Sequence, residues 1–176
     1  MDFLNLQIDP TTLPRLEDVE WKPVERIYLR VLRIRWLIFT AVLLAIVSFV
    51  ISLNPIHRQT IFLIVAGLLV FIPSFLYIFL VQRAFKRRAY ALREHDILYR
   101  HGWLFQTTDA CPFNRIQHCS VNSGPLERNY SLASLSIYTA ASGEADIKIS
   151  GLKEETANSI RELIMKKIIP YDGEGN

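Results

Sequence analysis

The chain has 176 residues, 51% of them hydrophobic and 21% charged, with a formal charge of +3 and a mean hydropathy of +0.20. That length leaves room for one small soluble domain once the apolar excess is set aside, and so small a basic surplus excludes a dedicated nucleic-acid binder. Two cysteines, Cys111 and Cys119, exclude a disulfide framework and fit a reducing compartment.

Residues 1–23 contain Pro10, Pro14 and Pro23 and read as an extended N-terminal tail. In 24–35, Val24, Ile27, Tyr28 and Val31 share one helical face, and Arg26, Arg30 and Arg33 share the other. This predicts a basic amphipathic juxtamembrane helix or a cytoplasmic extension of the helix that follows, resting on lipid headgroups in either case. Residues 36–53 carry no charge over 18 positions, and as a helix they cover roughly 27 Å, close to the hydrocarbon thickness of a bilayer.

Residues 61–81 form a second uncharged run with 16 Leu, Ile, Phe and Val residues. At about 0.3 to 0.6 kcal/mol each, these favour insertion by roughly 5 to 10 kcal/mol. Only residues 54–60 separate the runs, which allows a short external turn and makes the two transmembrane helices antiparallel neighbours. Ala41, Ala45, Ser48 and Ser52 place small residues on one face of the first helix, and Gly67 and Ser74 do so on the second, with a kink expected at Pro73. Whether the stripe meets its own hairpin partner or another subunit stays open.

Lys22, Arg26, Arg30, Arg33 and Arg35 precede the first span, and Arg83, Lys86, Arg87, Arg88 and Arg93 follow the second, against Arg58 alone in the turn. The positive-inside rule then puts both termini in the cytoplasm. Within the basic juxtamembrane linker 82–88, Arg83, Lys86, Arg87 and Arg88 are candidate lipid-headgroup contacts.

From 89 onward short β-type runs alternate with turn residues: Ala89–Leu92, Ile97–His101, Trp103–Thr108, Ile116–Val121, Leu135–Thr139 and Ile147–Ile149. Ile160, Leu163, Ile164 and Ile168 then follow helical spacing, with Glu154 and Glu155 in the first turn, Lys166 and Lys167 in the last, and Pro170 as the stop. The expected fold is a membrane α-helical hairpin followed by a mainly β, PH-like sandwich or barrel, residues 89–170, closed by a C-terminal amphipathic helix. Residues 171–176 are a tail.

Tyr90-Ala91-Leu92-Arg93, Gly102-Trp103-Leu104-Phe105, the run from Pro112 through Asn114-Arg115-Ile116-Gln117 to His118, Gly124-Pro125-Leu126-Glu127-Arg128, Leu132-Ala133 and Ile137-Tyr138-Thr139-Ala140 together resemble the bacterial PH-domain membrane proteins of the YdbS-like family. The resemblance covers roughly residues 24–168. Ser131 departs from it where a glycine often precedes the Leu-Ala pair, and Ala141-Ser142 replaces a more glycine-rich turn. It implies an architecture rather than a reaction, often beside a larger relative carrying more copies of the domain. Asn114, Arg115, Gln117, Pro125, Leu126, Glu127 and Arg128 become motif residues with either a structural or an interaction role.

No phosphate-binding loop or metalloprotease helix occurs. His118 and Cys119 are adjacent on a predicted strand and point to opposite faces, so neither a metal site nor a Cys-His nucleophile is expected there, and no catalytic residue or cofactor is expected anywhere. Neither span carries an ionisable residue, which argues against a transporter. The expected function is a non-enzymatic protein-interaction or scaffold module at the bacterial inner membrane. Its partners are membrane lipids and another membrane protein, a related multi-PH-domain protein among the candidates, with a homo-oligomer left open and nucleic acid excluded. The alternative is an anionic-lipid headgroup-binding module anchored by the hairpin.

Overall fold

The computed structural model describes residues 19–53, 60–140 and 145–168. The expected tail up to residue 18, turn residues 54–59, the Ala141-Ser142 turn, the stop at Pro170 and the tail 171–176 lie outside these. Two 26-residue helices dominate the first half: α1 (Tyr28–Leu53) and α2 (Thr60–Phe85). Both are long and apolar enough to cross a membrane. Seven strands follow the pattern β1 (Lys22–Pro23), β2 (Ala89–Leu92), β3 (Asp96–His101), β4 (Thr107–Pro112), β5 (Ile116–Asn122), β6 (Leu132–Thr139) and β7 (Ile147–Lys153). A short helix α3 (Pro125–Arg128) sits between β5 and β6, and α4 (Glu154–Ile168) closes the chain.

The strands form two antiparallel sheets, β1-β2-β3-β4 and β5-β6-β7, with α4 packed on the second. Strand β6 is the centre of that sheet, and Leu132, Ala133, Leu135 and Ile137 along it are fully enclosed. Ala157, Ile160 and Ile164 of α4 are buried against the core, with Ile168 partly covered. Leu163, expected on that face, is 37% exposed, because the docked face follows 157, 160, 164 and 168.

Helix α1 starts at Tyr28 and runs without a break through the rest of the region 24–35 into the apolar run. Its apolar face does not rest on headgroups. Val24, Tyr28, Val31 and Leu32 are buried in the core of the β domain, and Phe85, the last residue of α2, joins them from the expected linker 82–88. The β domain covers this face because β1, just before it, pairs with β2 (Lys22 opposite Tyr90, Pro23 opposite Ala89), and the Glu25 N–H donates to the Gly151 carbonyl at 2.8 Å. Gly151 sits in a bulge of β7, since Ser150 and Leu152 pair with the consecutive residues Ser134 and Ala133.

The expected strand Trp103–Thr108 is instead the turn between β3 and β4, with β4 displaced to Thr107–Pro112. Gly102 decides this. It adopts φ +102°, and a Cβ there would lie 2.0 Å from the Phe105 carbonyl oxygen, so the backbone folds back within three residues.

Candidate functional site

The domain has two ends defined by its connections to the helices. Strand β2 starts at Ala89, four residues beyond the end of α2, and runs away from it to the turn at Arg93-Glu94-His95. Strand β3 returns antiparallel, with Arg100 opposite Ala89, so the β3–β4 turn lies at the helix end and the β2–β3 turn at the far end.

At the helix end, Arg83 is exposed with its guanidinium 5.1 Å from the Phe79 ring centroid, and Lys86 is exposed. The Arg87 guanidinium reaches across to donate to the Trp103 carbonyl at 2.8 Å. Arg88 turns inward and lines a recess with Tyr99, His101 and Asp109. Burial pushes the Tyr99 phenol above its ordinary range, and Arg88 partly opposes the shift. Three of the four candidate headgroup cations therefore face outward, and Arg88 serves the domain.

Within the hairpin, Trp36 stacks on Tyr77 at 3.9 Å between centroids. That contact selects the packed face of α1, where Trp36, Thr40, Val47 and Ile51 are half-buried. On α2 the matching face is Gly67, Val70, Ser74 and Tyr77, at heptad spacing. Ala41, Ala45, Ser48 and Ser52 sit one residue further round, about 100° away, and all four are exposed. Gly67 and Ser74 thus lie in the hairpin contact and the stripe of α1 lies outside it.

At the far end, Phe113–Arg115 forms a single 3-10 turn, held where the Phe113 N–H donates to the His95 carbonyl at 3.0 Å. Ile116 and His118 of β5 pair with the adjacent residues Thr139 and Tyr138, which makes Gln117 the extra residue of a bulge. Asn114, Arg115 and Gln117 are all exposed. Among the described residues their side chains make no hydrogen bond or ion pair. Asn114 and Gln117 border a groove with Glu94, His95, Lys166 and Lys167, and Arg115 is outside its lining. The Lys167 ammonium donates to the Glu94 carbonyl and stands 5.4 Å from the Phe113 ring centroid, which fixes the last turn of α4 against this turn.

The second motif is spent locally. Pro125 opens α3, the Glu127 carboxylate accepts from the Gly124 N–H at 2.7 Å, and Arg128 Nε donates to the Ser123 carbonyl at 3.4 Å. Leu126 is partly buried against the core. Pro125, Leu126, Glu127 and Arg128 thus build a helix start, while Asn114, Arg115 and Gln117 are offered to solvent.

His118 stacks on Tyr138 at 4.3 Å, and Cys119 points the other way, with its thiol 4.0 Å from the Arg161 carbonyl on α4. Burial pushes the Cys111 and Cys119 thiols up, away from thiolate reactivity. Among the described residues no three His, Cys, Asp or Glu side chains converge on a metal-sized site. What the arrangement leaves open to solvent is a polar patch at the far end and an apolar turn at the helix end. Sequence reasoning missed two parts of it: the exposed Trp103-Leu104-Phe105 turn, whose only signal was the glycine before three apolar residues, and the part Lys166 and Lys167 take in the groove.

The profile of the Bacterial PH domain family matches residues 29–168. The chain is 30% identical over 140 residues to the UPF0699 transmembrane protein YdbS of Bacillus subtilis (strain 168), an alignment covering 78% of this chain and 86% of that one. No solved structure matches. With two membrane helices built into a seven-stranded domain closed by α4, the chain belongs to the bacterial PH-domain family as a YdbS-like membrane protein.

Proposed function

We propose that this protein is a non-enzymatic docking module that presents its PH-like domain on the cytoplasmic face of the bacterial inner membrane and binds a protein partner there, within a larger membrane complex. The observation that carries this reading is the far-end groove. Asn114, Arg115 and Gln117 are exposed, without a hydrogen-bond or ion-pair partner among the described residues, and projected by a bulge and a 3-10 turn, at the end of the domain opposite the helix exit. Polar side chains whose hydrogen-bonding groups are turned to solvent on a rigid support are complementary to a partner's polar rim. The ten-to-one excess of Lys and Arg on the outer flanks over the turn supports cytoplasmic termini.

A photo-crosslinking residue placed at Gln117 in full-length protein in cells tests the reading. The expected result is one discrete adduct at 117 that disappears in Arg115→Glu and is absent when the crosslinker replaces Ser159 on the exposed side of α4. The same adduct yield at both positions, or none at 117, overturns it.

The runner-up is recognition of anionic headgroups, favoured by the exposure of Arg83, Lys86 and Arg87 where α2 leaves the span. Each cation near an anionic leaflet contributes about 1 kcal/mol. Retention of phosphatidylglycerol over phosphatidylcholine by the purified protein, lost on replacing all three cations with Gln, would favour it.

A further inference from the structure

We propose that the turn between β3 and β4, Trp103-Leu104-Phe105, inserts into the interfacial layer of the same bilayer that α1 and α2 cross, giving the domain a third point of membrane attachment. This does not rest on the docking reading, since it concerns the opposite end of the domain.

The first observation is exposure. Trp103 is 40% exposed, Leu104 64% and Phe105 81%, and Phe105 is more exposed than any described large apolar side chain in the two membrane helices, where Phe75 reaches 78%. Among the described residues outside those helices, Leu92, Leu163 and Met165 are the other exposed large apolar side chains, each at only 36–37%. Three consecutive apolar residues at the tip of a water-facing hairpin are costly unless something apolar covers them.

The second observation says what covers them. Arg100 pairs with Ala89, and β3 continues past that register to His101, so the tip projects beyond the sheet on the side where α2 delivers the chain. The Arg87 guanidinium donates to the Trp103 carbonyl at 2.8 Å, which ties the tip to the helix exit. Arg87 is six residues past Val81, the last residue of the uncharged run; α2 carries the first four of these, about 6 Å, and ends at Phe85. The interfacial layer on each side of a bilayer is about 5–8 Å thick. Each residue the tip extends back from Ala89 recovers about 3.3 Å, so two or three of them bring Leu104 and Phe105 into that layer.

The third observation is residue type and support. Trp at headgroup depth with Leu and Phe beyond it is the composition of an interfacial anchor, as with Trp36 and Tyr77 in the hairpin. The turn is also held in shape rather than adaptable, because Gly102 at φ +102° is closed against the Phe105 carbonyl. With two helices and this tip engaged, the tilt of the domain is set and the far-end groove is held away from the bilayer.

The test uses the full-length protein in nanodiscs of phosphatidylcholine alone, so that anionic headgroups play no part. Spin labels are placed on Phe105→Cys and, at the opposite turn of the same sheet, on Glu94→Cys, with the native-cysteine background recorded on the unsubstituted chain. Both sites are exposed, so neither substitution disturbs the core. Collision with dissolved oxygen relative to a water-soluble nickel chelate is expected to be at least threefold higher at 105 than at 94. Equal ratios at the two sites overturn the proposal by placing the tip in water, and protection of 105 from both relaxants overturns it by placing the tip against protein.

Discussion

Tyr28, the first residue of α1, packs against Gly151 in β7, so close that a Cβ on the glycine would sit 2.6 Å from the ring's Cγ. The membrane helix and the domain share a core at this point, and Gly151 is required there twice over, because it also holds φ +85°. Gly151→Ala is expected to cost about 2–4 kcal/mol, combining left-handed strain with overpacking. In a Tyr28→Ala background the ring contacts at 2.6 and 2.7 Å are removed while the contact with the Cβ of residue 28 at 2.8 Å remains, so the same substitution should cost about 1 kcal/mol less. Denaturation of the four proteins of this cycle in mild detergent decides it. Equal costs in both backgrounds would mean that ring and glycine do not touch.

Ser131 holds φ +52°, a left-handed conformation disfavoured for serine, at the position where the resemblance to the family leads one to look for glycine. Ser131→Gly removes the strain and adds chain entropy to the unfolded state. The expected net change is a stabilisation of about 0–1 kcal/mol, read as a raised melting temperature. A clear destabilisation would show that the serine hydroxyl compensates for the backbone.

The two motifs should separate cleanly on mutation. Glu127→Ala removes the acceptor for the Gly124 N–H and is expected to cost about 1 kcal/mol, as for a lost helix cap. Arg115→Ala removes a side chain with no hydrogen-bond or ion-pair partner among the described residues and should change stability by less than about 0.5 kcal/mol. Chemical denaturation midpoints compare them directly, and the reverse order would exchange their roles.

Alkaline pH should weaken the fold. Burial raises the Cys111 and Cys119 thiols above the ordinary 9.0, and the Tyr90 and Tyr99 phenols above 10.0, with Glu25 adding to the shift at Tyr90. Above those ordinary values the unfolded chain gives up protons that the folded chain keeps, so the unfolded state binds fewer protons and stability falls as pH rises. The contribution is complete below about pH 9 and is lost above it. Unfolding midpoints are expected to stay level from pH 7.5 to about 8.5 and to decline from there to pH 10.5, and a profile flat throughout would mean that these groups are open to water.

Much of the architecture was legible because it is written locally. The uncharged runs, the abrupt change to period-two strands after residue 88 and the charge-capped last helix each depend on residues within one or two turns of each other. Two of the strands were cut short, however. β6 begins at Leu132, because the polar Ser134 and Ser136 are buried by neighbours on both sides, and β7 continues through the Gly151 bulge, where alternation breaks. The motif reading of NRIQ and GPLER located the candidate surface and a helix start but could not tell one from the other, since exposure and pairing are properties of the fold.

By itself the sequence determined which segments enter a membrane, which form sheet and which residues carry the family resemblance, because hydropathy and period are set by the order of residues alone. Only the tertiary structure decided what each apolar face touches. Val24, Tyr28, Val31 and Leu32 would suit lipid headgroups or a protein core equally, and the pairing of β1 with β2 places them in the core. Trp103-Leu104-Phe105 would extend a strand, and Gly102 turns them out at the helix end instead. Burial depends on contacts between residues far apart in the chain, and those contacts exist only once the two helices and the two sheets have met.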